Sequence, residues 1–414
     1  MRRTDVALGL GTAVWVAIIF AAFCPGLMSP DSLNQFGQGL ARSYSTNHPP
    51  AHTMLIGLCA RTVGSPWPLL LFDLIVIAGS MALLVRRSRS RGAMIVWVAF
   101  LLVPTVWAIG NTIWKDVATA VFLMATVAAL CHRRPLLAAG TLLAATLMRH
   151  NAVCATAPLL IPLVSQLLPS ARRSLRWAAI AAGCVVLAGA LPAFARLVHA
   201  RQDCTSCTLA ETDLAGIYVE DPTGYSSSAL APFVSIDDLR RTYNHEGIGF
   251  LYRYFTYTQT LELWPILPEW KAAMVRHPAL ALRNKVITFG LLLGLRPTVF
   301  YPFHRIIETD ANPWHLHLTG SDTLYRALTA ARDRVKDWPF FRGVVWLALA
   351  IGLAIVAYRR RRPLAMWVAL SGIAYAFSYL PVGISCDFRY LYWTVLSCFA
   401  AAALLGYRPG DGLT

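Results

Sequence analysis

The chain has 414 residues, long enough for two or three soluble domains, yet 57% of them are hydrophobic, 14% are charged, and the mean hydropathy is +0.52. Soluble domains carry about 25% charged residues, and a globule of this size cannot hide so large an apolar excess. Composition therefore excludes a soluble enzyme, a disordered chain and a disulfide-built secreted scaffold, and leaves an all-α polytopic membrane protein.

Apolar runs fall near 6–28, 66–85, 93–109, 117–131, 135–148, 152–169, 177–199, 342–358, 364–382 and 391–407. A helix needs about 17–25 apolar residues to cross a hydrocarbon core. Most of the runs meet that length; 117–131 and 135–148 are short and lean on their flanks. The expectation is ten spans. Arginines collect at every second gap: Arg2 and Arg3, then Arg86, Arg87, Arg89 and Arg91, then Arg133 and Arg134, then Arg172, Arg173 and Arg176, then Arg359 to Arg362, then Arg408. By the positive-inside rule these gaps are cytoplasmic, with both termini inside.

The net charge of +16 follows from the same distribution, since those gaps hold 16 Arg against two acids, Asp5 and Asp411. The rest of the chain is almost neutral, so nucleic-acid binding is not implied, and the basic gaps read as solvated anchors beside anionic headgroups.

The first span follows Met-Arg-Arg and reads as an uncleaved anchor, because no small-x-small cleavage site follows it. Two further apolar stretches do not fit a spanning role. A crossing at 286–302 would put Arg359 to Arg362 outside, and 52–64 is too short, so both read as juxtamembrane helices. The chain then divides into an N-terminal transmembrane module, 1–199, with a first external loop at 29–65; a mostly helical extracytoplasmic domain, 200–341, with an interfacial helix near 286–302; and C-terminal transmembrane helices, 342–414. The stretch from Phe250 to Trp270, with Tyr252, Tyr254, Tyr257 and Trp264, would rest that domain on the membrane. Its Cys204 and Cys207 form the one close pair among nine cysteines. A local disulfide is the plainer reading; zinc would need two more ligands at matching spacing. The other cysteines read as small apolar residues.

Polar groups cluster at span ends on one side. Asp31 and Gln35 follow the first span, and His48 and His52 sit in Asn47-His48-Pro49-Pro50-Ala51-His52. Lys115 and Asp116 sit in Trp114-Lys115-Asp116, Arg149 and Asn151 in Arg149-His150-Asn151, and Asp387, Arg389 and Tyr390 in Asp387-Phe388-Arg389-Tyr390. Each has a duller explanation: Lys115 and Arg149 could snorkel, His48-Pro-Pro could start a helix, Asp387 and Arg389 could form a rim salt bridge. Together they place carboxylates, cations and imidazoles at a bilayer surface, a costly arrangement that is usually functional. The inventory fits glycosyl transfer from a lipid phosphate, in which cations hold a departing phosphate and a carboxylate takes a proton from the incoming hydroxyl.

In these segments the chain resembles the GT-C superfamily of integral membrane glycosyltransferases, in particular a bacterial branch with an acidic residue soon after the first span, a His-Pro-Pro-x-His segment, a Trp-Lys-Asp loop, an Arg-x-Asn loop and a late Asp-x-Arg-Tyr. The resemblance covers about residues 1–160 and the last 30. It implies transfer of a sugar from a polyprenyl-phosphate donor to an extracytoplasmic glycan, lipid or protein at a bacterial inner membrane, with Asp31 as the base. Gln35, His48, His52, Lys115, Asp116, Arg149, Asn151, Asp387, Arg389 and Tyr390 would bind substrate. Many relatives pair two acids where this chain has Asp31 alone, which leaves use of a divalent metal open. A transporter or flippase of lipid-linked sugars is the alternative, although transporters tend to show internal symmetry and helices interrupted at the midplane, and this chain shows neither by eye. A non-catalytic assembly protein would leave the clustered ionisable residues unexplained.

Overall fold

The computed structural model describes residues 3–256, 259, 262–295 and 312–407. Among them the chain is helical, with two isolated β-bridges and no longer strand pairing. Every one of the ten apolar runs lies on a helix: α1 (Arg3–Phe23), α4 (Trp67–Ser88), the pair α5 (Arg91–Leu102) and α6 (Pro104–Gly110), α7 (Lys115–Cys131), α8 (Pro135–Met148), α9 (Ala152–Leu167), α10 (Arg173–Leu197), α16 (Gly343–Arg359), α17 (Pro363–Val382) and α18 (Tyr392–Leu404). Four are long and apolar enough to cross a membrane, namely Thr4–Phe23, Trp67–Ser88, Arg173–Leu197 and Pro363–Val382, and five if the bent pair is one span. The remaining apolar helices are shorter; 14 residues of α8 rise only about 21 Å at 1.5 Å per residue, less than the roughly 30 Å of a hydrocarbon core.

Proline places several of the boundaries. Pro30, Pro50, Pro104, Pro135 and Pro363 each begin a helix, where the missing N–H costs nothing. Between α5 and α6 the axis bends by 52°, because Pro104 cannot donate and pushes Val103 to φ −66, ψ 121, out of the helical region.

At the centre of the bundle lie α7 and α18, buried on nearly every side. Their Ala, Ser and Thr residues let neighbouring backbones approach closely. One end of the bundle collects the basic turns. Asp5 pairs with Arg86 at 3.4 Å, Arg87 lies 5.6 Å over the Tyr407 ring, and the Tyr407 hydroxyl donates to the Cys131 carbonyl at 3.4 Å.

At the opposite end two short helices, α2 (Pro30–Ala41) and α3 (Pro50–Val63), fill the loop after α1. They cross at Gly39 and Gly57, where a methyl group on either would come within 2.6 Å of the other's backbone. Only glycine permits that approach.

Beyond α10 the chain forms a second apolar core around α11 (Cys207–Glu220), α12 (Ile236–Thr242), α13 (Ile266–Arg276) and α14 (Pro278–Leu292). A buried Lys285–Asp213 pair at 2.7 Å ties α14 to α11. Cys204 and Cys207 are disulfide-bonded. The aromatic stretch divides in role: Tyr252 and Trp264 are exposed, whereas Trp270 turns inward and donates to Asp213 at 3.0 Å. Tyr257 lies outside the described residues, as does 296–302 of the expected interfacial helix, whose start falls on α14. An amphipathic helix, α15 (Asp322–Val335), packs on α1.

Candidate functional site

Backbone and side-chain tethers draw the polar loops together. Leu27 and Ile113 exchange hydrogen bonds with the 111–113 and 27 backbones, at 3.0 Å from Leu27 N to the Asn111 carbonyl and 2.8 Å from Ile113 N to the Leu27 carbonyl. Ser32 donates to the Ile113 carbonyl at 2.6 Å, and the Trp114 indole donates to Ser29 Oγ at 3.0 Å. The loop after α1 is thereby fixed to the Trp114-Lys115-Asp116 segment. Cys386 N donates to the Glu246 carbonyl at 2.9 Å, joining the last loop to the 200–341 region.

These tethers enclose a cavity of about 770 Å³. Asp31, His48, Lys115, Arg149, Asn151, Asp387, Arg389 and Tyr390 all line it. Gln35, His52 and Asp116 sit behind the lining, each almost wholly buried. His52 Nδ1 lies 2.7 Å from Gln35 Oε1; an amide oxygen only accepts, so Nδ1 carries the hydrogen. The Gln35 amide nitrogen donates to the Asp31 carbonyl at 3.2 Å. This pair therefore supports the turn that holds Asp31. Asp116 supports Arg149, with which it forms a buried ion pair.

Of the three cations, two are matched by carboxylates. Arg389 Nη2 lies 3.1 Å from Asp387 and 3.6 Å from Asp31, and Arg149 is bound to Asp116. Lys115 has no such partner among the described residues; its Nζ lies 3.2 Å from His48 Nδ1. Burial, and then the Lys115 charge, bring the His48 imidazole down to about 3, so the ring is neutral near pH 7 and its Nδ1 accepts from the ammonium. Asp31 is the carboxylate within electrostatic reach of the Lys115 ammonium, beyond ion-pair distance.

Aromatic rings fix the guanidinium groups. Arg389 lies 4.6 Å over Trp114 and 5.4 Å over Tyr390; Arg149 lies 4.8 Å over Tyr390 and 5.4 Å over Tyr379. Tyr379 and Tyr390 stack with centroids 5.0 Å apart and planes 6° from parallel. Asn151 accepts from Arg149 Nε at 3.0 Å and donates to Ser378 at 2.8 Å. Tyr379 and Ser378 are absent from the candidates drawn from the sequence, because they sit inside an apolar run. The one sequence cue was hydroxyl-bearing aromatics at i and i+4, Tyr375 and Tyr379.

A second, apolar groove of about 690 Å³ runs between α9 and α17, lined by Ala157, Pro158, Ile161, Leu370, Ile373 and Phe377 among others. Cys154 and Ser378 line both spaces, so the groove adjoins the polar cavity. Among the described residues no group of three His, Cys, Asp or Glu side chains is placed to hold a metal ion.

Comparison with family models, curated proteins and solved structures finds no match.

Proposed function

We propose that the chain is an integral membrane glycosyltransferase of the GT-C type, moving a sugar from a polyprenyl-phosphate donor to an extracytoplasmic acceptor. The observation that carries this is the junction of a three-cation cavity with an apolar groove at Cys154 and Ser378. A lipid phosphate has those two halves: a charged head that needs cations and a hydrocarbon tail that needs an apolar channel.

In the proposed reaction Asp31 takes the proton of the acceptor hydroxyl. The oxygen attacks the anomeric carbon, the bond from that carbon to the phosphate oxygen breaks, and polyprenyl phosphate leaves with the electron pair. Lys115, Arg149 and Arg389 hold its developing charge. Residues 29–32 are tethered to 113–114, which keeps base and cations in fixed relation.

The membrane reading comprises ten spans, with the short helices relying on their polar flanks, both termini cytoplasmic, 200–341 outside, and a bacterial inner membrane. Its support is that the arginine-bearing ends of α4 and α7 meet Tyr407, just past α18, at one end of the bundle while the cavity lies at the other.

The test uses the full chain in proteoliposomes with a panel of synthetic polyprenyl-phosphate hexoses and pentoses and a cell-envelope glycan extract. Release of polyprenyl phosphate with sugar appearing on the glycan is expected. Movement of an intact lipid-linked sugar across the bilayer without its cleavage would replace transfer by flipping.

A further inference from the structure

The cavity lining is uneven in charge. Lys115, Arg149, Arg389, Asp31 and Asp387 are contributed by the loops at the helix ends, whereas residues 205–209 and 248–252 contribute Thr205, Ser206, Thr208, Leu209, Ile248 and Tyr252, none of them charged. We infer that this uncharged part is the acceptor subsite and that it takes a neutral, hydroxyl-rich ligand, the ring of an uncharged saccharide. The inference rests on the transfer reading above and narrows it to one chemical class of acceptor.

Several observations converge on it. Thr205 and Ser206 lie between the two bonded cysteines, and this short segment is pinned further by the Asp203 amide, which donates to Thr46 Oγ1 at 2.9 Å. Ser206 is the N-cap of α11, yet its side chain makes no capping hydrogen bond. Its hydroxyl is not engaged in capping the helix, and the residue lines the cavity. Tyr252 leaves 45% of its surface exposed, an apolar ring face with a polar tip of the kind that suits a sugar's C–H face and hydroxyl rim.

Tyr252 also lies within electrostatic reach of Asp31: burial and then the Asp31 charge raise its phenol above the ordinary value. A ring docked on Tyr252 would put a hydroxyl near the proposed base. Behind this wall sits Glu211, one helical turn beyond Thr208. It is wholly buried, neither carboxyl oxygen has a hydrogen-bond partner, and burial pushes its acid up to about 8. The acid is therefore largely protonated at neutral pH, and the wall stays uncharged.

The first-turn amides of α11 can donate to a sugar oxygen, although a helix N-terminus by itself favours an anion. What an anionic acceptor lacks here is a cation, because the three cations belong to the other part of the lining. A phosphorylated or uronic acceptor would compete for them with the donor phosphate.

The test is binding without turnover: saturation-transfer NMR on the full chain in lipid nanodiscs, with methyl glycosides of neutral hexoses and, in parallel, glucose 6-phosphate and methyl glucuronide. Neutral glycosides should receive saturation. Tyr252→Ala should abolish it, Tyr252→Phe should keep it, and Thr208→Val should weaken binding by about three- to tenfold, the value of one hydrogen bond. Charged sugars that bind in a Tyr252-dependent way while neutral ones do not would overturn the inference. So would neutral binding indifferent to Tyr252→Ala. Because no donor is present, the outcome is independent of transfer. Donor consumed without glycoside binding removes this subsite alone, and glycoside binding without donor cleavage removes the transfer reading alone.

Discussion

Arg389 Nη2 lies 3.6 Å from Asp31 Oδ2, so a cation from the lead-in to the last helix faces the proposed base from the first loop of the chain. The same nitrogen lies 3.1 Å from Asp387. One planar guanidinium thus serves a base, a fixed carboxylate and, in the proposed reaction, a leaving phosphate. Arg389→Ala should lower kcat/KM for donor by roughly 10- to 150-fold, the loss of a charge-assisted contact worth about 1.5–3 kcal/mol. Arg389→Lys should recover only part, since an ammonium cannot reproduce the fork. Steady-state donor kinetics decide; unchanged donor use in both Arg389→Ala and Lys115→Ala would remove the cations from the mechanism.

Asp31 lies in the first turn of α2, where Ser29 and not Asp31 is the N-cap. Its contribution to the helix is therefore the modest dipole interaction, about 0.3–1 kcal/mol at such a site. Asp31→Asn should melt within a few degrees of wild type and lose roughly 10²- to 10⁴-fold in transfer rate, the range for a general base. A normally folded Asp31→Asn protein with near wild-type turnover would place the base elsewhere, with His48 the next lining residue to examine.

The Arg149–Asp116 pair is nearly inaccessible to solvent, which separates structural from chemical loss. Asp116→Leu leaves a buried guanidinium unpaired and should cost about 3–5 kcal/mol, whereas the double variant Asp116→Leu, Arg149→Met should restore most of the stability, as apolar replacements of buried pairs commonly do. Activity should stay low in both, because the double variant lacks a cavity cation. Thermal melting and transfer assays on the same samples check this; recovery of activity with recovery of fold would make the pair purely structural.

His52 is held at about 3, chiefly by burial, while the unfolded chain takes up a proton near the ordinary 6.5. Its contribution is complete above pH 6.5 and declines as the pH falls toward 3, by up to about 1.4 kcal/mol per pH unit. Melting temperature should accordingly fall between pH 6.5 and 4, and His52→Gln, which cannot titrate, should flatten part of that fall. An identical acid profile in the variant would show that the ring is not neutral in the fold.

The sequence by itself determined the helices and the direction of the charge asymmetry. Apolar runs and first-turn prolines are local signals, and backbone hydrogen bonds within one helix answer to local composition, so each run near its expected place became a helix. The polar loops were legible too: eight of the eleven proposed site residues line one cavity because helix ends on one side are brought together by any antiparallel bundle.

Tertiary packing decided what each residue does there. Asp116 reads in the sequence as a substrate ligand, but its buried partner is Arg149, 33 positions away. Ser378 reaches Asn151 across 227 positions, Tyr379 stacks on Tyr390, and the groove between α9 and α17 exists only once those helices pack. Trp270, expected at the membrane, is half-buried and its indole N–H finds an acceptor in Asp213. Such pairings carry no local signature: their energies depend on burial and on groups far apart in the chain, and neither periodicity nor composition encodes a distance between helices.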